Sequence, residues 1–341
     1  MSTQATDSLP TFADIEAAAD RIEGAAVRTP LLSCPALDDR LGARCLIKPE
    51  PLQRTGSFKF RGAYNKLSRL ADQARSKGVV AYSSGNHAQG VAAAAQLLGA
   101  EATIVMPADA PAIKLENTRG YGATVLTYDR YREEREAVAQ SLIEERGCLL
   151  VPPYDDPDVI AGQGTLGLEI AEQAAALGAS IDTALVCCGG GGLISGTALA
   201  LSTKSPQTAV YSVEPEGFDD TARSLASGTR QSVDPTAKSF CDALLAKTPG
   251  ALTFALNSRL LKGGLAVSDA EVATAMAFAF RWLKLVVEPG GAVALAAALS
   301  GKIDLQGKTV AIVLSGGNVD AGTFAAVLGV GQGAAAGKES T

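Results

Sequence analysis

The chain has 341 residues, a net charge of −6 and a single histidine, His87, and it is 47% hydrophobic, 19% charged and only 5% aromatic. The acidic balance and the lack of a Lys/Arg block argue against a nucleic-acid partner, and one histidine is too few for His-rich zinc sites or most His-based triads. No apolar run reaches the roughly 18 residues that cross a bilayer and the first residues lack a basic, apolar leader, so a soluble cytoplasmic protein without a membrane partner is expected.

Small aliphatic side chains suit helices laid closely on a parallel sheet, in one large domain or two unequal ones. Short runs rich in Val and Ile occur at 78–82, 102–106, 124–127, 183–188, 209–213 and 309–314, each ahead of a stretch of helical spacing. Strands alternating with helices imply βαβ units and a mainly parallel sheet. An Ala/Leu-rich helix is predicted over 86–100, closing at Gly99, and a second over 269–285, opened by the capping signal Ser268-Asp269-Ala270-Glu271. The six cysteines include no C-x-x-C pair and read as reduced core thiols. Residues 331–341 are small and polar and are expected to form a flexible tail.

Four segments carry features that a core does not need. The first, Thr55-Gly56-Ser57-Phe58-Lys59-Phe60-Arg61-Gly62-Ala63, is a polar turn running into a helix, with Lys59 between two phenylalanines. A desolvated lysine loses charge and becomes a nucleophile for a carbonyl, so an apolar cage suits a Schiff-base lysine. A lysine that lays its stem on apolar surface with its head in water remains the alternative. In the second, Ser83-Ser84-Gly85-Asn86-His87, a predicted strand passes into a helix. Amides and hydroxyls there suit a substrate carboxylate, although Ser and Asn also simply cap helices.

In the third, Cys187-Cys188-Gly189-Gly190-Gly191-Gly192-Leu193, a strand ends in four glycines. A backbone without Cβ atoms can approach a phosphate and aim amides at it. The spacing matches neither the dinucleotide fingerprint nor the P-loop, which opposes a nicotinamide dehydrogenase. The fourth, Leu314-Ser315-Gly316-Gly317-Asn318, offers a hydroxyl at the rim of a parallel sheet.

Taken together, these segments resemble the pyridoxal-phosphate enzymes of fold type II, which are tryptophan synthase beta-like, and within them the serine/threonine dehydratases (threonine ammonia-lyases) and serine racemases. The likeness runs from Arg28-Thr29-Pro30-Leu31 through Lys48-Pro49-Glu50, Pro153-Tyr154-Asp155-Asp156-Pro157 and Ile160-Ala161-Gly162-Gln163-Gly164-Thr165 to Ser315-Gly316-Gly317-Asn318. It implies an α/β fold of two domains, each a mainly parallel sheet flanked by helices. Residues 1–54 and 155–330 would form a large cofactor-binding domain and 55–154 a small mobile one.

The resemblance implies that Lys59 carries pyridoxal 5'-phosphate as a Schiff base and acts as general base. Phe58 would pack beside the cofactor, Asn86 would meet its ring hydroxyl, Gly189, Gly190, Gly191, Gly192 and Leu193 would hold its phosphate, and Ser315 would face the pyridine nitrogen. Ser84 would serve catalysis from the opposite face of the substrate, which Ser83, Ser84, Gly85, Asn86 and His87 would bind. Arg135 aligns with an arginine that meets a second carboxylate in racemases and 3-hydroxyaspartate dehydratases. Glu214, Asp220 and the carbonyl of Phe218 resemble a divalent-cation site for Mg²⁺, Ca²⁺ or Mn²⁺.

Three departures, Cys241-Asp242-Ala243-Leu244 in place of Ala-Asp-Gly, Tyr82 and Tyr154, turn the expectation from racemase toward dehydratase. The expected activity is therefore L-serine/L-threonine dehydration to a 2-oxo acid and ammonia by a homo-oligomer, a dimer or tetramer, without a regulatory domain. A 3-hydroxyaspartate dehydratase or serine racemase is the alternative within the family. A non-catalytic amino-acid sensor is the alternative from another class, and it would lack Lys59 or the glycine loop.

Overall fold

The structure is a computed structural model that describes residues 9–83, 85–110, 112–129 and 131–329. Ser84 and the expected tail at 331–341 therefore lie outside the described residues. Two sheets organise the chain. The larger holds β1 (Leu32–Ser33), β2 (Arg44–Pro49), β7 (Thr183–Cys187), β8 (Ala209–Pro215), β9 (Gly263–Val267) and β10 (Thr309–Leu314), in the order β1-β2-β10-β7-β8-β9. All its neighbours are parallel except β1 and β2. The smaller holds β3 (Val79–Tyr82), β4 (Ala102–Pro107), β5 (Thr124–Tyr128) and β6 (Leu149–Leu150), ordered β5-β4-β3-β6 and parallel throughout. This is the α/β class expected, with helices on the faces of two parallel sheets.

Strands that the apolar runs marked fall within a residue or two of their expected positions. β2 escaped that reading because it buries Lys48 among its aliphatic side chains, and β9 because it opens on two glycines. The helix expected over 269–285 is shorter. It starts on the expected capping box at Ser268 and runs over Asp269–Phe278. A wider turn, Ala279–Leu283, follows and stops at Lys284 in the left-handed region (φ 58°). The Asn86–Leu98 helix ends on Gly99 in the left-handed region (φ 68°), as its glycine predicted.

Three helices meet through glycine. On the Pro157–Ala176 helix, a Cβ at Gly162 would lie 2.6 Å from the Cα of Gly62, in the Lys59–Arg69 helix. On its other side Gly196, in the Gly192–Lys204 helix, touches the backbone of Ile160 and Gly164. A methyl at these crossings would force the helices apart.

A buried ion network fixes the same contact. The fully buried Arg61 guanidinium donates to Glu50 (Nε to Oε2, 2.8 Å) and Glu169 (Nη1 to Oε1, 2.6 Å), and Lys48 Nζ reaches Glu169 at 2.6 Å. Two charges of each sign balance within the cluster. Losing one member would strand an opposite charge in the core, at about 3–5 kcal/mol.

Candidate active site

The carboxyl ends of β3, β7 and β10 open on one cavity of about 560 Å³, the usual position for a ligand in a parallel sheet. Phe58, Lys59, Ser83, Gly85, Asn86, His87, Arg135, Gly189 to Leu193 and Ser315 all line it. Segments far apart in the chain thus converge there.

Lys59 is the first residue of its helix, and its Nζ donates to the carbonyl oxygen of Pro153 at 2.6 Å. Burial pulls the amine down from its ordinary 10.5 to about 8, and the negative charge of Glu288 opposes that shift. The cage of two phenylalanines is corrected to a single ring. Nζ lies 5.2 Å from the Phe58 centroid, whereas Phe60 is wholly buried and its ring faces Tyr64 at 5.5 Å. At about 100° per helical residue, Phe58 and Phe60, two positions apart, point about 200° apart, so one ring meets the cavity and the other turns to the core.

The motif 153–157 divides its labour residue by residue. Pro153 receives the lysine, and the Tyr154 ring lies against the glycine loop, where a Cβ on Gly190 would collide with it. Asp155 accepts the amides of Ala251 (2.8 Å) and Leu252 (2.9 Å), so it holds the Ala251–Leu260 helix against that loop. Asp156 caps the Pro157–Ala176 helix by accepting from Asp158 and Val159, both at 3.0 Å. Within the loop Gly191 has φ 97°, a backbone state that side chains rarely tolerate. The Gly192–Lys204 helix begins directly after it, so unpaired first-turn amides face the cavity.

At the other wall Asn86 and His87 open the Asn86–Leu98 helix. His87 Nε2 meets the Val151 carbonyl at 2.8 Å, and burial pushes its imidazole down to about 3. The ring is neutral and donates through Nε2, so it brings no positive charge to a substrate carboxylate. Asn86 is buried between Glu288 and Asn318. Ser315 lies on the cavity floor beside Cys187.

Arg135 is the first residue of the Arg135–Arg146 helix and half exposed. Its guanidinium carbon sits 5.3 Å from the Tyr82 ring centroid, and Nε reaches Glu136 at 2.8 Å. Tyr82, Tyr128 and Tyr154 share the cavity with it. Across the mouth, Lys114 of the Ala112–Gly120 helix pairs with Asp242.

Glu214, Phe218 and Asp220 are brought together away from this cavity. The Glu214 carboxylate accepts the amides of Thr221 and Ala222, each at 2.9 Å, while both side-chain oxygens of the buried Asp220 have no hydrogen-bond partner among the described residues. Burial pushes Glu214 up to about 8, helped by Asp220, and burial takes Asp220 up to about 7. Among the described residues no group of three His, Cys, Asp or Glu side chains could hold a metal. Glu214 and Asp220 thus form a buried pair of carboxylates whose charges disfavour each other's ionisation.

The sequence reading missed Glu288, which is 3% exposed and lines the cavity. Its signal was available: a carboxylate directly ahead of Pro289-Gly290-Gly291 and an otherwise apolar helix, where nothing in the core calls for one. It also missed Lys114, which stands in a helix without apolar periodicity.

A family model for pyridoxal-phosphate dependent enzymes matches residues 22–316, and the chain belongs to that family. Within it, the chain is similar to L-threo-3-hydroxyaspartate ammonia-lyase of Saccharomyces cerevisiae, 46% identical over 94% of this chain and 97% of the relative. Serine racemase of Schizosaccharomyces pombe is 42% identical over 93% and 97% of the two chains. The crystal structure of a T.th. threonine deaminase superposes with a TM-score of 0.87 at 45% identity, covering 91% of this chain and 99% of the other. The protein is a fold type II, pyridoxal-phosphate dependent ammonia-lyase of the threonine dehydratase and serine racemase group. Among the described residues no helix is long and apolar enough to cross a membrane.

The cavity suits that cofactor. It combines a buried amine of lowered basicity, a loop in which Cβ atoms would collide with Tyr154 and Thr253, and amides and hydroxyls able to meet an anion.

Proposed function

We propose that the preferred substrate is a 3-hydroxyaspartate, dehydrated to a 2-oxo acid and ammonia by a homo-oligomer in the cytoplasm. The observation that carries this reading is Arg135, whose guanidinium stands over Tyr82 inside the cavity that contains Lys59. A planar fork of donors suits the second carboxylate that distinguishes this amino acid from serine and threonine. The similarity to a yeast ammonia-lyase for L-threo-3-hydroxyaspartate supports it further. The reading replaces serine or threonine as first choice and keeps both as competitors.

Pyridoxal phosphate, when bound, supplies a ring that withdraws electrons from the substrate's Cα. Lys59 would hold the cofactor and, once freed, take the Cα proton; a poised basicity near neutrality favours both roles. Phe58 would cover one face, Gly189 to Leu193 would bind the phosphate, and Ser315 would meet the pyridine nitrogen. Ser83, Gly85 and the start of the Asn86–Leu98 helix would bind the α-carboxylate. Ser84 would deliver a proton from the opposite face.

Residues 55–154 would act as a small domain closing on the large one formed by 1–54 and 155–330, with the Lys114–Asp242 pair across the mouth as one contact. Glu214, Asp220 and the Phe218 carbonyl would hold a divalent cation.

The test is to quantify ammonia and 2-oxo acid from L-serine, L-threonine and both 3-hydroxyaspartate diastereomers, with Arg135→Ala alongside the wild type. One 3-hydroxyaspartate diastereomer should give the highest kcat/KM, and the substitution should lower it by about 10²-fold, the loss of one charge-assisted contact, while sparing serine. Preference for serine or threonine, with no effect of Arg135→Ala, would return the reading to a serine/threonine dehydratase. Interconversion of serine enantiomers without elimination would make it a racemase.

A further inference from the structure

Glu288 precedes the Pro289–Leu299 helix at its cap position, where an acidic side chain ordinarily accepts its own helix's amides. It makes no such bond. Instead Oε1 accepts Asn86 Nδ2 at 2.6 Å, while Asn86 Oδ1 accepts Asn318 Nδ2 at 2.7 Å. The same Asn318 nitrogen donates to the Thr55 carbonyl at 2.8 Å. Every side-chain amide in this relay is oriented one way. Because Asn318 Nδ2 is held on the Thr55 carbonyl, flipping Asn86 would set its NH₂ against another NH₂.

The backbone is shaped around that bond. Gly316 follows Ser315, and a Cβ on it would collide with Glu288 Oε1, so a larger residue there would displace the carboxylate from this position. Burial pushes this carboxyl up to about 8; the Asn86 hydrogen bond opposes the shift, the charge of Asp242 adds to it, and Lys114 and Lys59 oppose it.

We propose that Glu288 is a positioning residue of the ammonia-lyase reaction: it locks the Asn86 amide so that one Nδ2 hydrogen stays on the carboxyl and the other faces the cavity, and it supplies the counter-charge for a freed Lys59. This rests on reading Lys59 as the cofactor lysine and Asn86 as the partner of the cofactor's ring hydroxyl. A carboxyl able to lose and regain its proton adds no fixed charge against an anionic cofactor, yet balances an ammonium when one forms.

Glu288→Ala removes the acceptor, whereas Glu288→Gln keeps an oxygen for Asn86 and removes the titration. Cofactor affinity by equilibrium dialysis, and the visible band of the bound cofactor between pH 6 and about 9, read the two effects separately. Glu288→Ala should bind pyridoxal phosphate about 10-fold more weakly, the worth of one lost hydrogen bond. Glu288→Gln should bind within about 3-fold of wild type but lose the pH transition that the titrating carboxyl gives the band. Unchanged affinity in Glu288→Ala, or a wild-type pH transition in Glu288→Gln, would overturn the proposal. If Glu288→Ala does not fold, the Glu288→Gln profile decides alone. Wild type treated with borohydride serves as the control: failure to fix cofactor on Lys59 would break the underlying reading, whatever the variants do.

Discussion

Lys59 owes its chemistry to where its helix begins. An ordinary lysine at 10.5 is almost wholly charged at neutral pH, whereas one held at about 8 offers roughly a tenth of its population as free amine at pH 7. The nucleophile is the neutral form. Capture of pyridoxal phosphate by cofactor-free protein should therefore accelerate about tenfold per pH unit below 8 and level off above it. Stopped-flow absorbance would follow this, and a rate still climbing steeply at pH 10 would mean that the amine is not desolvated. The sequence marked this residue through its flanking aromatics, although only Phe58 serves it. It did not mark Glu288, whose place ahead of an apolar helix was a visible signal but whose role depends on Asn86, far away in the chain, donating to it.

At the scale of elements, motifs that looked like binding signatures also prove to be packing and capping devices. Gly162 and Gly164 let three helices cross closely, and Asp155 and Asp156 each cap a different helix. The family likeness picked out these segments, but not which neighbour each residue would meet, since that depends on contacts between separate parts of the chain. The parallel strands were legible from their apolar runs. Those that bury charge or open on glycine were not.

The junction between β8 and the Asp220–Ser227 helix makes its own prediction, because two buried oxygens of Asp220 lack hydrogen-bond partners among the described residues. If a divalent cation satisfies them, chelation should lower the thermal midpoint and Mg²⁺ should restore it, the cation adding up to about 3 kcal/mol of stability at a hundredfold excess over its dissociation constant. Asp220→Ala should abolish that response. A midpoint indifferent to chelator and cation would leave the cluster as a buried, proton-bearing pair.

For the whole molecule, two parallel sheets present their strand ends to one cavity, and the residues that line it come from nearly the full length of the chain. The alternation of strands and helices anticipated the sheets, whereas their division into separate four- and six-stranded units depends on pairings that no local pattern encodes. The central claim is that this shared cavity holds a cofactor on one particular amine. Borohydride reduction of the purified holoprotein, followed by peptide mass mapping, tests it directly. The yellow protein should bleach, and the added mass should fall on the peptide that contains Lys59. Label on Lys48, Lys66 or Lys114 instead, or on no lysine at all, would contradict the account.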